Sequence, residues 1–416
     1  LMEDHPFSLL PQCLLTERPD RAASFARISS CDLVITSYAL LQRDLEAAYL
    51  DKTFGVVVLD EAQHIKNRQT RNAKAAKQLT SVQKLVLTGT PVENSVADVW
   101  SIFDFLLPGY LGPYDAFRAT TQEVIEAGGP EGRAEQEKLH RKLHPFILRR
   151  LKKTVAKDLP DKIVKVAYCP MTEEQQRWYN QLLADARGRI GDMVKAKGFA
   201  KSRMEILALL MRLRQVASHL ELLKEYREKQ GARRTGASTT DGGSALSGKL
   251  EVFLELLDEA IDGGHRVLVF SQFVSMLTIL RRELAARGIR YCYLDGETKD
   301  RLGACRTFNT DASIPLFLIS LHAGGTGLNL TGADMVVHFD PWWNPAVEAQ
   351  ATDRAHRIGQ KKTVYVVKLI AQDSVEERVL ALQQKKQLVI DATVGTTDEA
   401  AVQKLTYDDI RSILGY

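Results

Sequence analysis

Apolar residues fall along this chain in short runs of three to six, and between those runs at intervals of three and four. The runs are rich in β-branched residues and read as strands: Leu33–Thr36, Val56–Leu59 and Leu85–Leu87 early on, then Val267–Phe270, Tyr291–Leu294, Leu316–Ile319, Met335–Phe339 and Val364–Leu369. Their alternation with helical periodicity predicts a parallel α/β fold, because parallel strands need a crossover element between them. Residues from about 95 to 230 separate the two series, read as mostly helical and contain no internal repeat. Gly231–Gly248 holds five Gly and six Ser/Thr in 18 residues and reads as a flexible linker. The helix predicted after it places Leu250, Phe253, Leu254, Leu257 and Ile261 on one face, with Ser247 as its N-cap. A second α/β domain therefore starts at about Leu246.

Composition narrows the class. With 416 residues the chain is long enough for two or three domains, and 45% hydrophobic with 26% charged residues is ordinary for a globular protein. No apolar run approaches the roughly 20 residues of a membrane span, and the first ten residues lack a signal-peptide pattern. The five cysteines are scattered, with no CxxC pair, which argues against a zinc site or a disulfide framework and for a reducing compartment. The net charge is only +4, but it is unevenly spread. Arg141–Lys153 carries six basic residues and no acid, and Lys201–Arg234 carries nine basic and four acidic residues. Such stretches either neutralise phosphates or form solvated helix faces, and charge alone favours the second.

Four motifs follow strand ends. Val56–Leu59 runs into Asp60-Glu61-Ala62-Gln63. Ligands of open parallel sheets sit at the carboxyl ends of strands, where one carboxylate holds Mg²⁺ and the next polarises a water. A lone acidic pair there could equally cap a helix. Leu85–Leu87 runs into Thr88-Gly89-Thr90-Pro91, a loop suited to sensing a γ-phosphate or simply a turn. Leu316–Ser320 leads to His322-Ala323-Gly324-Gly325-Thr326-Gly327, whose glycines allow close approach to phosphate or DNA. Finally, Gln350–Gln360 (QATDRAHRIGQ) sets Arg354 and Arg357 three apart, on one face if the segment is helical. Two such arginines could neutralise charge developing on a phosphate, or lie solvated on a surface.

The conjunction of these motifs in this order is far more specific than any of them singly, and it resembles the Swi/Snf family of DNA-dependent ATPases in helicase superfamily two. The resemblance runs from about Asp32 to Glu377. It includes Ser37-Tyr38 after the DLVIT run, LTGTPVEN, the segment PFILRR at Pro145–Arg150, LMRLRQ at Leu210–Gln215, VLVFSQF at Val267–Phe273, GGTGLNL, and DPWWNP at Asp340–Pro345. It implies two RecA-like lobes with helical insertions that grip duplex DNA and move along it as ATP turns over. The corresponding domains are 1–115, the C-terminal part of an incomplete first lobe; 116–245, helical protrusions and linker; 246–390, the second lobe; and 391–416, a tail. In roles carried over from the family, Asp60 holds Mg²⁺, Glu61 is the water-activating base, and Arg354 and Arg357 are arginine fingers. Gln63, Gly89, Thr90, Gly327 and Gln350 lie at the nucleotide. Ser37, Ser271, Gln272, Arg301, Ala323, Gly324 and Trp342 lie along the DNA. Trp342 and Trp343 are equally candidates for core packing. With the family match, the two basic stretches become candidates for facing phosphates. Partners are then duplex DNA and proteins bound to it, with no membrane, in the nucleoid-containing cytoplasm of a bacterium or the nucleus of a eukaryote. His322 stands where the family often has Lys, and Ser218-His219-Leu220 replaces its usual Asn/Cys-His-Pro ending.

The family also has a Gly-rich phosphate loop upstream of its acidic pair, and none of the 59 residues before Asp60 forms one. Gly243–Leu250 imitates it as GxxxxGKL, but its last residue has no hydroxyl, it follows a linker instead of a strand, and it comes after the acidic pair. The expectation is a chain that begins partway through a longer motor. The competing explanation of the missing loop is a natural motor that has lost its ATPase. The competing functions are an ATP-independent DNA-binding or scaffolding fragment, which this chain would be in isolation, and a strand-separating helicase, for which no wedge hairpin is visible. Residues 1–416 alone should release no phosphate from ATP beyond a Glu61→Gln control, even with Mg²⁺ and duplex DNA. A steady-state phosphate-release assay checks this, and turnover well above that control would reveal a phosphate site.

Overall fold

The computed structural model describes residues 12–14, 21–88, 96–148, 150, 152–223, 247–321, 323, 327–343, 345–390 and 407–415. It forms two compact units, one built from residues 1–149 and the other from most of residues 150–416. In the first unit β1 (Gln12–Leu14) pairs in parallel with β2 (Leu33–Ile35), and β3 (Thr53–Leu59) with β4 (Thr80–Val86). β4 starts five residues before its predicted position, because Thr80–Lys84 mixes polar and apolar side chains and shows no run. Val57 and Leu59 turn into a core with Leu41, Leu45, Ile65, Ala73 and Phe105. The alternate residues Val56, Val58, Leu85 and Leu87 remain about half exposed, so the other face of this sheet presents apolar side chains.

The second unit contains an all-parallel sheet in the order β5-β10-β9-β6-β8-β7. Its strands are β5 (Lys162–Cys169), β6 (Val267–Ser271), β7 (Tyr291–Leu294), β8 (Leu316–Ser320), β9 (Met335–His338) and β10 (Val364–Ala371). β6, β8 and β9 are buried along their whole length, which is why they read as unbroken apolar runs. Val267 and Val269 enter one core with Leu250, Phe253, Leu277 and Leu280. Leu268 and Phe270 enter a second core with Phe308, Leu330, Ala351 and Ala355, on the opposite face.

β5 is the strand that the helical reading of 95–230 missed. It is an edge strand whose exposed Lys162 and Lys165 interrupt the apolar signal and discourage pairing with another chain. The rest of that region is helical. Glu173–Lys197 starts at a Thr172/Gln175 capping box, and Phe199–Ser218 packs against it across Gly198, at φ +77. Their core also takes in the helices Val375–Ile390 and Tyr407–Leu414.

The helix Gly248–Asp262 forms as predicted, and Ser247 Oγ accepts from Leu250 N at 3.1 Å. Gly248 is required by space: a Cβ there would lie 1.7 Å from the carbonyl oxygen of Pro170. Lys249 is fully buried, pairs with the equally buried Glu376 at 2.6 Å and donates to the Phe339 carbonyl at 3.1 Å. Its ammonium is thus committed to the interior, and the phosphate-loop look-alike has no lysine to offer a nucleotide.

His338, at the end of β9, is also buried, stacked on Phe270 and 3.0 Å from Thr352 Oγ1. Burial lowers its pKa from 6.5 to about 4, so the native ring is neutral while the unfolded one protonates near its ordinary value. The associated stability is complete above pH 6.5 and lost as pH falls from 6.5 toward 4. The loss should reach about 3 kcal/mol at the acid end. Urea unfolding across that range should show it, and His338→Gln should flatten that part of the profile.

Candidate functional site

In the first unit the chemistry gathers where β3 and β4 end side by side. Leu87 N donates to Leu59 O at 2.8 Å and Ala62 N donates to Leu87 O at 3.1 Å, which carries the pairing past both strands. Asp60 is exposed at this end, its Oδ1 accepting from Glu61 N at 2.9 Å. Glu61 sits in the left-handed region at φ 49, ψ 52, a conformation that costs a side-chain-bearing residue of order 1 kcal/mol or more and concentrates at functional turns. Its carboxylate accepts from Gln63 Nε2 at 2.8 Å, and Gln63 Oε1 accepts from Thr88 Oγ1 at 3.2 Å. The acidic pair is therefore wired to the neighbouring strand end through one glutamine.

A further partner was not assigned from sequence. Tyr38 Oη donates to the Asp60 carbonyl at 2.9 Å, and the ring lies 5.1 Å from that of His64. Burial, with Asp60 and Glu61 beside it, pushes the Tyr38 phenol pKa well up, so it stays a donor. The adjacent Ser37 is exposed, and its Oγ caps the helix Tyr38–Ala48 by accepting from Leu40 N at 3.3 Å. Gly89 and Thr90 lie outside the described residues. Chemically, an exposed carboxylate beside a second, amide-held carboxylate suits Mg²⁺, which takes one or two protein carboxylates and completes its shell with water and phosphate oxygens. No cluster of three or more metal-ligating side chains occurs among the described residues, and such an arrangement does not need one.

In the second unit the predicted residues part company. The helix Pro345–Thr352 stops before the arginines, which stand on the turns that follow it. Arg354 is buried and Arg357 exposed, so they share no helix face and only Arg357 is openly available to a ligand. That turn is pinned from several sides. Lys152 pairs with Asp353 at 2.6 Å, His356 Nε2 meets Pro160 O at 2.7 Å, and buried Gln360 donates to the carbonyls of Ala333 and Ala355. Gln360 belonged to the quoted motif but had no role assigned. Gln350 is half-buried on the helix, and Gly327 adopts φ +51 in the loop after β8.

Of the residues expected along DNA, Arg301 is half-buried and donates to Gly296 O at 3.3 Å, and Ala323 is buried. Gly324 lies outside the described residues. Ser271 and Gln272 are 1% and 8% exposed, and their side chains serve an internal network. Trp342 and Trp343 are half-buried against two different cores, and Trp342 N donates to Glu348 Oε1 at 2.7 Å. Within the basic stretches Arg141, Lys142 and Lys201 are exposed, whereas Arg214 is 2% exposed and cannot face a phosphate. Its place inside a charge-rich segment hid a buried residue.

The sequence matches the SNF2-related domain over residues 8–222 and the helicase conserved C-terminal domain over residues 248–359. It is 36% identical over 364 residues to an uncharacterized ATP-dependent helicase of Mycoplasma genitalium, covering 87% of this chain and 33% of that protein. It is 34% identical over 426 residues to the TATA-binding protein-associated factor MOT1 of Saccharomyces cerevisiae, covering 92% and 22%. It is also 35% identical over 395 residues to the human SWI/SNF-related matrix-associated actin-dependent regulator of chromatin subfamily A member 1, covering 93% and 36%. The chain thus spans between about a fifth and somewhat over a third of these relatives' lengths. Among solved structures it resembles the Sulfolobus solfataricus SWI2/SNF2 ATPase core in complex with dsDNA, with TM-score 0.50 and 33% identity over 98% of this chain and 81% of that one.

Proposed function

Because this chain belongs to the SNF2 family and forms its helicase-like ATPase core, we propose that the protein of which it is part moves along duplex DNA at the expense of ATP and displaces or rearranges proteins bound there. The observation that carries this reading is the chain Asp60–Glu61–Gln63–Thr88 across two adjoining strand ends. Asp60 would hold Mg²⁺, and Glu61 would accept a proton from the attacking water. Gln63 holds the Glu61 carboxylate in place and, through Thr88, makes its position depend on the loop after β4. Bound Mg²⁺ would supply charge neutralisation on the phosphates. Arg357, exposed on its turn, would add positive charge as the γ-phosphate leaves. Exposed Ser37, Arg141 and Lys142 in the first unit, and exposed Lys201 in the second, would each contact phosphates, reading backbone more than bases.

The relatives named ATP-dependent helicases and chromatin regulators support this reading, as does the dsDNA complex of the archaeal core. In the complete protein Arg357→Ala should lower DNA-stimulated kcat by about 10³-fold or more while leaving duplex affinity near normal. Arg354→Ala should lower turnover too and also reduce thermal stability, since it is buried. Near-normal turnover in both variants would overturn the assignment. Binding of the 416-residue chain to duplex DNA should weaken steeply with salt and show little sequence preference in competition. Salt-insensitive or strongly sequence-selective binding would refute the backbone-following surface.

A further inference from the structure

Arg214 sits on the helix Phe199–Ser218, and its guanidinium ends among loops that follow two strands of the sheet. Nη1 donates to Gln272 Oε1 at 3.0 Å, just after β6, and Nη2 donates to the carbonyl of Pro341, just after β9. The same guanidinium lies 5.2 Å from the Trp343 ring, 5.9 Å from Trp342 and 6.0 Å from Phe273. The two loops are also joined directly: the Asp340 carboxylate accepts from Ser271 Oγ and, at 2.9 Å, from Gln272 N. Asp340, Glu376 and Glu348 supply the negative charge that keeps so deeply buried a cation tolerable.

Guanidinium groups only donate, so Arg214 selects one orientation of the Gln272 amide. The amide oxygen faces the arginine, and Nε2 is buried with no partner among the described residues, so this amide is part of the clamp and not a surface group. A planar fork also fixes the distance between its two acceptors, which a lysine ammonium cannot do. We propose that Arg214 is a positioning residue for duplex binding: without touching DNA itself, it clamps the Ser271-Gln272 and Asp340–Trp343 loops into one rigid edge, on which the half-buried Trp342 is left partly open. This rests on the duplex-binding reading above. It also assigns the helix Phe199–Ser218 a task inside the second unit, that of a strut under the loops.

The test compares Arg214→Lys with Tyr179→Phe in the 416-residue chain. Tyr179→Phe removes a buried hydrogen bond to Val375 N elsewhere in the same unit and serves as the control for destabilisation alone. At temperatures where both variants are folded, Arg214→Lys should weaken duplex binding by about tenfold, because an ammonium cannot hold both loop acceptors at the fixed spacing of the guanidinium fork. The slope of log affinity against log salt is read in Arg214→Gln, which removes the charge: it should equal that of the unaltered chain, whereas loss of a direct phosphate contact would reduce it by about 0.9. The tryptophan band of the near-ultraviolet circular dichroism should change in Arg214→Lys and stay fixed in Tyr179→Phe, because Trp342 and Trp343 lean on the guanidinium. A reduced slope would make Arg214 a direct contact and overturn the proposal, as would unchanged affinity or equal loss in both variants. If the unaltered chain binds no duplex, the duplex-binding reading fails. The clamp is then still decided by the tryptophan band, which an absent clamp would leave unchanged.

Discussion

A carboxylate buried where β6 and β9 end ties together the two loops that leave those strands. Asp340 accepts from the Ser271 hydroxyl and the Gln272 amide, and burial raises its pKa against the pull of Arg214. Placing a charge there is tolerable only if every neighbour is aimed at it, and the neighbours are: a hydroxyl, a main-chain N–H and a guanidinium one loop away. Lys249 and Glu376 form a buried ion pair in the same interior, and buried Glu348 pairs with the partly buried Lys368. Such pairs add little net stability compared with apolar side chains of the same volume. What they contribute here is definition, since loops bound to an interior charge cannot drift.

The first unit uses a lighter device for the same end. Its acidic pair is held by one phenol, one amide and one threonine hydroxyl, with the backbone of Glu61 in an unfavourable conformation. A residue kept in that region is a spring held down by its surroundings. Few and partly exposed bonds leave this arrangement easier to shift than the deeply buried one in the second unit.

Much of this was readable from the sequence because it is written in local patterns. β6 and β8 are buried on both faces, so their apolar runs are continuous, and Ser247 and the 250–261 stripe announce their helix directly. β5 was hidden because Lys162 and Lys165 are edge residues, and β4 was shortened because one of its faces is open. At the site the residue types were legible and their surroundings were not. Arg354 and Arg357 share a motif but not an environment, since the helix ends at Thr352. Ser271 and Gln272 look like surface groups until Asp340 and Arg214, 69 and 58 residues away in sequence, are folded against them. Arg214 itself sits in a basic segment, where charge suggests solvent, and only the tertiary fold shows it enclosed.

The close approach of Gly248 to Pro170 has a topological meaning. Pro170 directly follows β5, and Gly248 opens the helix that leads into β6, so the backbone returns almost to its starting point after a long excursion. Gln175 Oε1 accepts from Gly248 N at 2.9 Å and Ser247 Oγ donates to the Ser218 carbonyl at 2.6 Å, which ties the neck of that excursion shut. A segment stitched at its neck can change length without moving the strands on either side of it. Lengthening it adds closure entropy only as the logarithm of its size, roughly 0.6 kcal/mol per doubling. The neck is therefore a natural graft point, where new sequence can be carried outward without altering the spacing of the strands.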